Sequence, residues 1–147
     1  MPPTRSSLSL ARVRIRWRAP EARLSGVERT LRAGGAVVRH GGDFDRWDLE
    51  VRGGLFGSAR MIMGVEEHGQ GMQMVRARLW PRAAGTALVT LATLAALAGL
   101  AFMSRATGAG VALAITALFL AQRMVWDCGV ATRALDEAVR AELAQDR

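Results

Sequence analysis

Two long apolar runs constrain this chain more than any other feature of its sequence. They cover residues 83–103 and 107–126, contain no acidic residue, and are separated by the polar link Ser104-Arg105-Ala106. At 1.5 Å rise per residue, a helix of about 20 residues spans roughly 30 Å, the thickness of the hydrocarbon core of a bilayer. The sequence therefore predicts a transmembrane hairpin of two helices.

The hairpin divides the chain into three parts. Residues 1–82 form a polar, Arg-rich head, residues 83–126 contain the two spans, and residues 127–147 form a short helical tail. A head of about 80 residues has room for one small domain. A catalytic domain with its own cofactor fold would not fit, so the sequence predicts a non-enzymatic protein without a cofactor.

The positive charge of the chain lies on the head. Residues 1–82 contain 15 arginines against 8 acidic residues, the rest of the chain contains 5 of each, and lysine does not occur. Such a surface suits anionic lipid head groups, an acidic protein partner or nucleic acid. With a membrane hairpin attached, lipid or a larger membrane protein is favoured. Nucleic acid is disfavoured because the head has no aromatic-plus-basic RNA-binding signature.

Arginines near the two spans predict their orientation. Five flank the outer ends and one lies in the link: Arg76, Arg78, Arg82, Arg123 and Arg133 against Arg105. This bias places both termini in the cytoplasm. Trp80 and Trp126 occupy the same ends, where an indole suits the interface. The first twenty residues contain no apolar run typical of a signal peptide, and a single cysteine, Cys128, agrees with a reducing compartment.

The pattern of the head predicts a small antiparallel sheet with one helix. Residues 9–18 alternate as a strand with one wet face does, the alternative being a basic amphipathic helix on the membrane surface. Ser25-Gly-Val-Glu28 has the spacing of a capping box and predicts a helix over residues 26–33. Glycine-rich turns separate four further strands, at residues 36–40, 44–52, 56–67 and 72–80. The fold class is α+β, followed by the hairpin and a short C-terminal amphipathic helix, which continues the second span or lies on the surface.

One face of such a sheet remains available for lipid or a partner, since an antiparallel sheet needs only one covered face. The candidate lipid- or partner-binding residues are Arg12, Arg14, Arg16, Arg46, Arg52, Arg60, Arg76 and Arg78. Four methionines at alternate positions of two neighbouring strands are expected to form one core patch under the helix, the alternative being an adaptable surface for a partner: Met61, Met63, Met72 and Met74.

Small residues recur three or four positions apart in both spans. They are the candidates for close helix packing: Gly85, Ala92, Ala95 and Gly99, then Gly110, Ala114, Ala117 and Ala121. This pattern lets helix backbones approach closely. It serves a hairpin packed on itself or docking against the helices of another membrane protein.

The head offers few groups for catalysis. Gly41-Gly-Asp43-Phe-Asp45 looks like the turn of diguanylate cyclases and the Asp-x-Asp metal motif of glycosyltransferases, but no nucleotide-binding domain fits upstream. His40 and His68, with these carboxylates, lack the tight spacing of a metal site. No P-loop and no Gly-x-Ser-x-Gly occurs, so the sequence assigns no catalytic, cofactor-binding or metal residue.

A resemblance rests on one long stretch of the chain. The stretch is Phe44-Asp-Arg-Trp-Asp-Leu-Glu-Val-Arg-Gly-Gly-Leu-Phe-Gly-Ser-Ala-Arg60, then Gly64-Val-Glu-Glu-His-Gly69, then Val75-Arg-Ala-Arg-Leu-Trp-Pro-Arg82. Over residues 24–126 the chain is similar to membrane-anchored modules that accompany bacterial glycosyltransferases and ABC-type exporters. The resemblance implies an accessory role beside an envelope-glycan or export machine of the bacterial inner membrane. It carries over no functional residue.

Three functions are consistent with these patterns. The first is a non-enzymatic accessory or scaffold subunit of an inner-membrane complex. The second is a sensor of anionic lipid or a small ligand, which would bind a phosphorylated head group through the arginines of the head, namely Arg12, Arg14, Arg16, Arg46 or Arg52. The third is a small lipid-modifying enzyme that would use His40, Asp43, Asp45 and His68.

Overall fold

The computed structural model describes residues 8–9, 13–42, 44–67 and 72–145. Within these residues the elements follow in the order β1 (Leu8–Ser9), β2 (Val13–Arg16), α1 (Pro20–Ala33), β3 (Val38–His40), β4 (Leu49–Arg52), β5 (Gly57–Glu67), β6 (Met72–Ala83), α2 (Gly85–Met103) and α3 (Thr107–Gln145). The predicted α+β class, the antiparallel sheet and the two long apolar helices are confirmed.

The strands form one antiparallel sheet with β5 and β6 at its centre. Its order is β3-β4-β5-β6, and both β1 and β2 pair with the remaining edge of β6. In the β5–β6 hairpin, Val65 lies opposite Val75 and Met61 opposite Leu79, so odd-numbered residues face odd-numbered ones. Because side chains alternate along a strand, the odd-numbered side chains of both strands share one face.

That face is covered and forms the core. Helix α1 and residues 127–145 of α3 pack against it. The buried side chains are Val27 and Leu31 of α1, Leu49 and Val51 of β4, Ala59 and Met61 of β5, Val75, Ala77 and Leu79 of β6, and Ala131, Leu135, Ala138, Val139 and Leu143 of α3. The core of the head is thus shared between the sheet and a helix that comes from the apolar hairpin.

The methionines do not form one patch, and that prediction is wrong. Met61 and Met63 lie on the core face, whereas the even-numbered Met72 and Met74 lie on the opposite face and are half-buried. The pairing register explains this. Met74 lies opposite Glu66, so both belong to the even-numbered side chains on the face away from the core. Alternation within each strand was visible in the sequence, but the pairing between the strands was not.

Helix α1 begins at Pro20 and not at residue 26. Proline suits the first turn of a helix, where its missing N–H would have no partner. Ser25 lies inside the helix, where its hydroxyl donates a hydrogen bond of 2.9 Å to the carbonyl of Ala22. The predicted capping box is therefore wrong. The predicted end is right, since α1 ends at Ala33 and Gly35 follows with φ of 77°.

The strand predicted over residues 44–52 begins only at Leu49. Before it, the N–H of Gly42 donates to the Asp45 carboxylate at 2.8 Å and the N–H of Gly41 donates to the carbonyl of Asp48 at 2.9 Å. The Asp48 carboxylate also accepts from the N–H of Met63 at 2.6 Å. Two carboxylates that accept from backbone N–H groups and one bond between backbone groups thus take the place of the first part of the predicted strand.

Helices α2 and α3 form an antiparallel hairpin, and both are long and apolar enough to cross a membrane. Buried and half-buried residues recur along each helix at alternating steps of three and four: Ala87, Leu91, Leu94, Ala98 and Ala101 of α2, and Gly110, Leu113, Ala117, Leu120 and Met124 of α3. This is the spacing of two helices packed along one seam. At the turn, Arg105 adopts φ of 59°.

The predicted small packing residues divide between the seam and the outside. Gly110 and Ala117 are buried and Ala121 is half-buried. An added Cβ at Gly110 would lie 3.0 Å from the ring of Phe102, so α3 approaches α2 closely there. The others are exposed: Gly85, Ala92, Ala95, Gly99 and Ala114. Docking of this outer set against another membrane protein stays a prediction.

Helix α3 is continuous for 39 residues, which corresponds to about 58 Å at 1.5 Å per residue. Residues 127–145 are therefore the continuation of the second apolar helix, which is one of the two arrangements that the sequence leaves open. Their amphipathic stripe, with Leu135 and Val139 completely buried, packs on the sheet. One rigid element thus joins the apolar hairpin to the core of the head.

Candidate functional site

We term the face of the sheet opposite the core the arginine face. Its charged members are Arg16, Arg39, Glu50, Arg52, Arg60, Glu66, Arg76, Arg78 and Arg82. Seven arginines thus stand with two glutamates in the described part of the sheet. The helices α1 and α3 pack on the other side, through the core residues. The arginine face is therefore an uncovered, strongly positive surface within the described residues.

Strand pairing arranges these side chains in rows across the sheet. Ser58 lies opposite both Arg52 and Arg82, which forms the row nearest to α2. The next row contains Arg39, Glu50, Arg60 and Trp80. Since only Ala84 separates β6 from α2, the row of Arg82 lies about 10 Å from Gly85 along the strand, and the row of Trp80 lies about 16 Å from it.

A cavity of about 190 Å³ opens at this end of the arginine face, and we term it the α2 pocket. Its lining includes Arg39, Glu50, Arg52, Leu55, Arg82 and residues 83–85. Glu50 pairs with Arg60 at 2.7 Å and lies 3.7 Å from Arg82. Arg39 and Arg52 are exposed, and no carboxylate of the described residues pairs with either one. The pocket is therefore positively charged.

Of the eight predicted binding arginines, only Arg52 lines this pocket. Arg16, Arg46 and Arg78 are exposed elsewhere on the head. Arg60 is held by Glu50, with its guanidinium 4.4 Å from the centre of the Trp47 ring. Arg76 lies 3.5 Å from Glu66. Arg12 lies outside the described residues, and of Arg14 only the backbone is described.

Two residues of the pocket, Arg39 and Arg82, were not among the predicted binding residues. Arg39 lies on a strand of three residues, and Arg82 lies next to the first span, where its charge predicts only the orientation of the spans. Their proximity depends on the pairing of β3, β4, β5 and β6. Alternation predicts which side of its own strand each residue occupies, but not the neighbouring residue across the sheet.

The turn between β4 and β5 packs directly on α3 at Asp127. An added Cβ at Gly53 or Gly54 would overlap Asp127, and one at Gly57 would lie 2.6 Å from the backbone nitrogen of Cys128. The Asp127 carboxylate is completely buried, accepts the N–H of Phe56 at 3.2 Å and lies 3.3 Å from Nε of Arg123. Glycine thus lets the turn approach the helix, and a buried carboxylate fixes it there. We term this contact the Asp127 joint.

The lone cysteine, Cys128, lies in the same contact. Its thiol is half-buried and lies 3.6 Å from the carbonyl of Arg82, to which it donates. Burial raises the pKa of the thiol, the backbone N–H of Ser58 acts against this, and the charge of Asp127 adds to it. A raised pKa disfavours the thiolate, which is the reactive form of cysteine.

A second polar contact ties α3 to the far end of the sheet. Glu142 is almost fully buried and pairs with Arg18 at 2.7 Å. Arg23 of α1 is completely buried; it donates to Oε1 of Gln73 at 3.3 Å and to the carbonyl of Arg16 at 2.5 Å. Charged groups buried in this way need partners of this kind. The tail of α3 is therefore held at both ends of the sheet.

The residues considered for catalysis are placed apart or lie outside the described residues. His40 lies 2.8 Å from Glu28 of α1, and Glu28 also pairs with Arg32 at 2.6 Å. Burial alone would raise the pKa of Glu28, but the hydrogen bond and charge of His40, together with Arg32, outweigh it and lower the pKa below its usual range. Asp45 binds the N–H of Gly42 in its own turn.

Asp43 and His68, the other two candidates for catalysis, lie outside the described residues. Over the described ranges, no group of three or more His, Cys, Asp or Glu side chains is arranged to hold a metal ion.

Comparisons with protein-family models, with curated proteins and with solved structures find no match for this chain. The interpretation of the site therefore rests on its geometry and charge.

Proposed function

We propose that this protein is a non-enzymatic accessory subunit of a larger membrane complex. Its α2–α3 hairpin inserts into the bilayer, and its head presents the arginine face to an acidic cytoplasmic surface of the partner. Residues 127–145 of α3 hold the head in a fixed position relative to the hairpin.

The exposure of the hairpin supports insertion. In the most apolar 18 residues of α2 only 11% is buried inside the protein, and in the corresponding stretch of α3 only 6% is buried. Val89, Leu118 and Phe119, for example, are all more than half exposed. The core helix of a water-soluble protein would bury such side chains, whereas a membrane-spanning helix exposes them to lipid.

The continuity of α3 is the observation that carries the proposal. The same helix contains the apolar span and the buried residues Ala131, Leu135 and Val139 of the head. The Asp127 joint and the Arg18–Glu142 pair fix it to the sheet at both ends. A head attached through its own core has no free linker, so it keeps one orientation at the membrane surface. This suits a scaffold that offers a fixed surface to a partner.

The charge of the arginine face supports an acidic partner. Arg16 and Arg78 are exposed, and no carboxylate of the described residues pairs with them. Complementary charge guides association and fixes its register. The excess of arginine at the outer ends of the spans supports a head in the cytoplasm. The resemblance to modules of glycosyltransferases and exporters extends the proposal to envelope-glycan synthesis or export at the bacterial inner membrane.

Sensing of an anionic lipid is the second candidate function. It is favoured by the α2 pocket, which collects Arg39, Arg52 and Arg82 beside the first turn of an apolar helix. A phosphate-bearing head group at the surface of the bilayer would lie at this level. The two functions are compatible, because the pocket occupies one end of the arginine face and Arg16 and Arg78 lie further from α2.

Purification of the tagged full-length chain from its native membrane in mild detergent tests the accessory function. Quantitative mass spectrometry is expected to find one larger membrane protein in stoichiometric amount. The double variant Arg16→Glu and Arg78→Glu should lose this partner, because it reverses two exposed charges of the arginine face. Arg29→Glu with Arg133→Glu is the matched control, since both arginines are exposed on helices away from that face. A wild-type chain that purifies as a lone monodisperse monomer contradicts the proposal.

A further inference from the structure

We propose that the α2 pocket binds a phosphate group, and that its physiological source is an anionic phospholipid in the leaflet next to the head. The inference rests on the membrane insertion proposed above. It assigns a ligand chemistry to one end of the arginine face, separate from the surface that meets the protein partner.

The α2 pocket carries a net positive charge. Arg39, Arg52 and Arg82 come from three different strands and line one cavity. The only carboxylate in the lining is Glu50, and its shorter contact, 2.7 Å, is with Arg60 outside the pocket, against 3.7 Å with Arg82. Three guanidinium groups thus face a space whose one acid is already neutralised. The planar guanidinium fork matches phosphate, as it does carboxylate, through paired hydrogen bonds.

The first turn of α2 adds hydrogen-bond donors to this charge. Ala84 at the N-cap has no side chain that caps the helix, and residues 83–85 line the pocket. The first N–H groups of a helix have no partner within the helix, and they favour an anion. An added Cβ at Gly85 would meet no atom within 4 Å, so the space in front of this turn is open.

Size and position select the ligand. A cavity of about 190 Å³ is smaller than the roughly 300–1,000 Å³ of sites for drug-sized molecules, so its size suits a phosphate group. Leu55 lines the same pocket and is 82% exposed, beside the start of an apolar helix. An exposed apolar side chain next to a phosphate-sized basic pocket matches the boundary between the acyl chains and the head group of a lipid.

Native mass spectrometry of the full-length protein in mild detergent tests the inference, with phosphatidylglycerol as the titrant. The triple variant Arg39→Gln, Arg52→Gln and Arg82→Gln is expected to weaken the first lipid-binding step by roughly 100-fold. This follows from about 1 kcal/mol for each arginine and 1.4 kcal/mol for each tenfold change. The matched control Arg29→Gln, Arg133→Gln and Arg140→Gln removes the same charge from exposed helix positions and should keep the tight step. Equal affinity of the wild type and the pocket variant overturns the proposal.

A second variant separates loss of binding from loss of folding. Gly85→Asp places a carboxylate in open space at the start of α2, where an acidic residue stabilises a helix. It should therefore abolish tight lipid binding without lowering the melting temperature. Tight binding retained in Gly85→Asp would contradict a phosphate in this pocket.

Inorganic phosphate in place of the lipid distinguishes the two sources of the ligand. Inorganic phosphate could stabilise the wild type as strongly as the lipid does and leave the triple variant unaffected. That result would overturn the lipid as the source of the phosphate group. The result is also separable from the accessory function, because Gly85→Asp changes no residue of the arginine face and should still purify with the protein partner. Extraction of the protein from its membrane by alkaline carbonate would refute insertion, independently of what the pocket binds.

Discussion

The two halves of α3 differ in where their apolar side chains lie. In residues 107–126 most of the large apolar side chains outside the seam with α2 are exposed, as Leu118 is at 69%, whereas in residues 127–145 Leu135 is completely buried. The first half is apolar on nearly all sides, and the second has a single apolar stripe opposite Glu137 and Arg140. A helix that is apolar all round suits lipid, and one with a single stripe suits a protein core beside water. The change between the two environments occurs at Asp127.

Replacement of a leucine in each half should give the largest contrast. Leu135→Ala should destabilise the head by about 2–5 kcal/mol, because it leaves a cavity in a closed core. Leu118→Ala should change stability by about 0.5 kcal/mol or less, since its side chain contacts few protein atoms. Thermal unfolding of the full-length chain in detergent, followed by tryptophan fluorescence, measures both. Equal losses would remove the distinction between the halves.

A charge placed in each half should give the next largest contrast. Leu118→Arg puts a guanidinium near the centre of the span and should oppose insertion by about 2.5–3.5 kcal/mol. Glu137→Arg makes the same kind of charge at an exposed position of the tail and should leave insertion unchanged. The fraction of each variant that resists extraction by alkaline carbonate reports the difference. If Leu118→Arg remains as resistant as the wild type, residues 107–126 do not cross the bilayer.

The Asp127 joint should respond to added volume in the turn that touches it. Gly53→Ala should cost about 1–3 kcal/mol, because the new methyl group would overlap the backbone of Asp127. Gly129→Ala lies two residues further along α3, where an added Cβ meets no atom within 4 Å, and it should stabilise the helix by up to about 1 kcal/mol. Denaturant unfolding measures the change in the free energy of unfolding, and a loss in Gly53→Ala with a gain in Gly129→Ala would support the Asp127 joint. A neutral Gly53→Ala would mean that the turn does not press on α3.

Acid should weaken the head slightly and leave the hairpin unaffected. The folded state lowers the pKa of Glu28, so Glu28 contributes stability above its unfolded pKa, and this is lost as the pH falls through the folded value. The effect should stay below about 1 kcal/mol, as is usual for an ion pair near the surface. Glu28→Gln should flatten this part of the pH profile of head unfolding. A profile that is as steep in the variant would assign the acid sensitivity to another group.

Local patterns predicted most of the elements. The hairpin turns at residues 104–106 as expected, and β5 and β6 begin within one residue of the predicted strands. The apolar spacing of Ala131, Leu135 and Val139 predicted an amphipathic helix in the tail. The pattern did not indicate what the stripe would bury, because a stripe on the membrane surface and a stripe in a protein core have the same period.

Contacts between distant segments could not be predicted in the same way. The α2 pocket depends on the register of four strands, which moves Arg39 and Arg82 beside Arg52. The Asp127 joint depends on a turn that is more than 70 residues away along the chain. At α1, Ser25 and Glu28 have the spacing of a capping box, yet Pro20 marks the start of the helix. Glu28 instead binds His40, a pairing that only the folded chain makes.

The continuity of α3 is tested most directly by a distance across the two halves. Spin labels at Ile115 and Glu137, both exposed, can be placed in a Cys128→Ala background of the full-length chain in liposomes. Double electron–electron resonance should then give a narrow distribution, because one straight helix separates the two backbone positions by about 33 Å. A broad distribution, or a clearly shorter distance, would show that the tail moves independently of the span and would contradict the rigid connection between membrane and head.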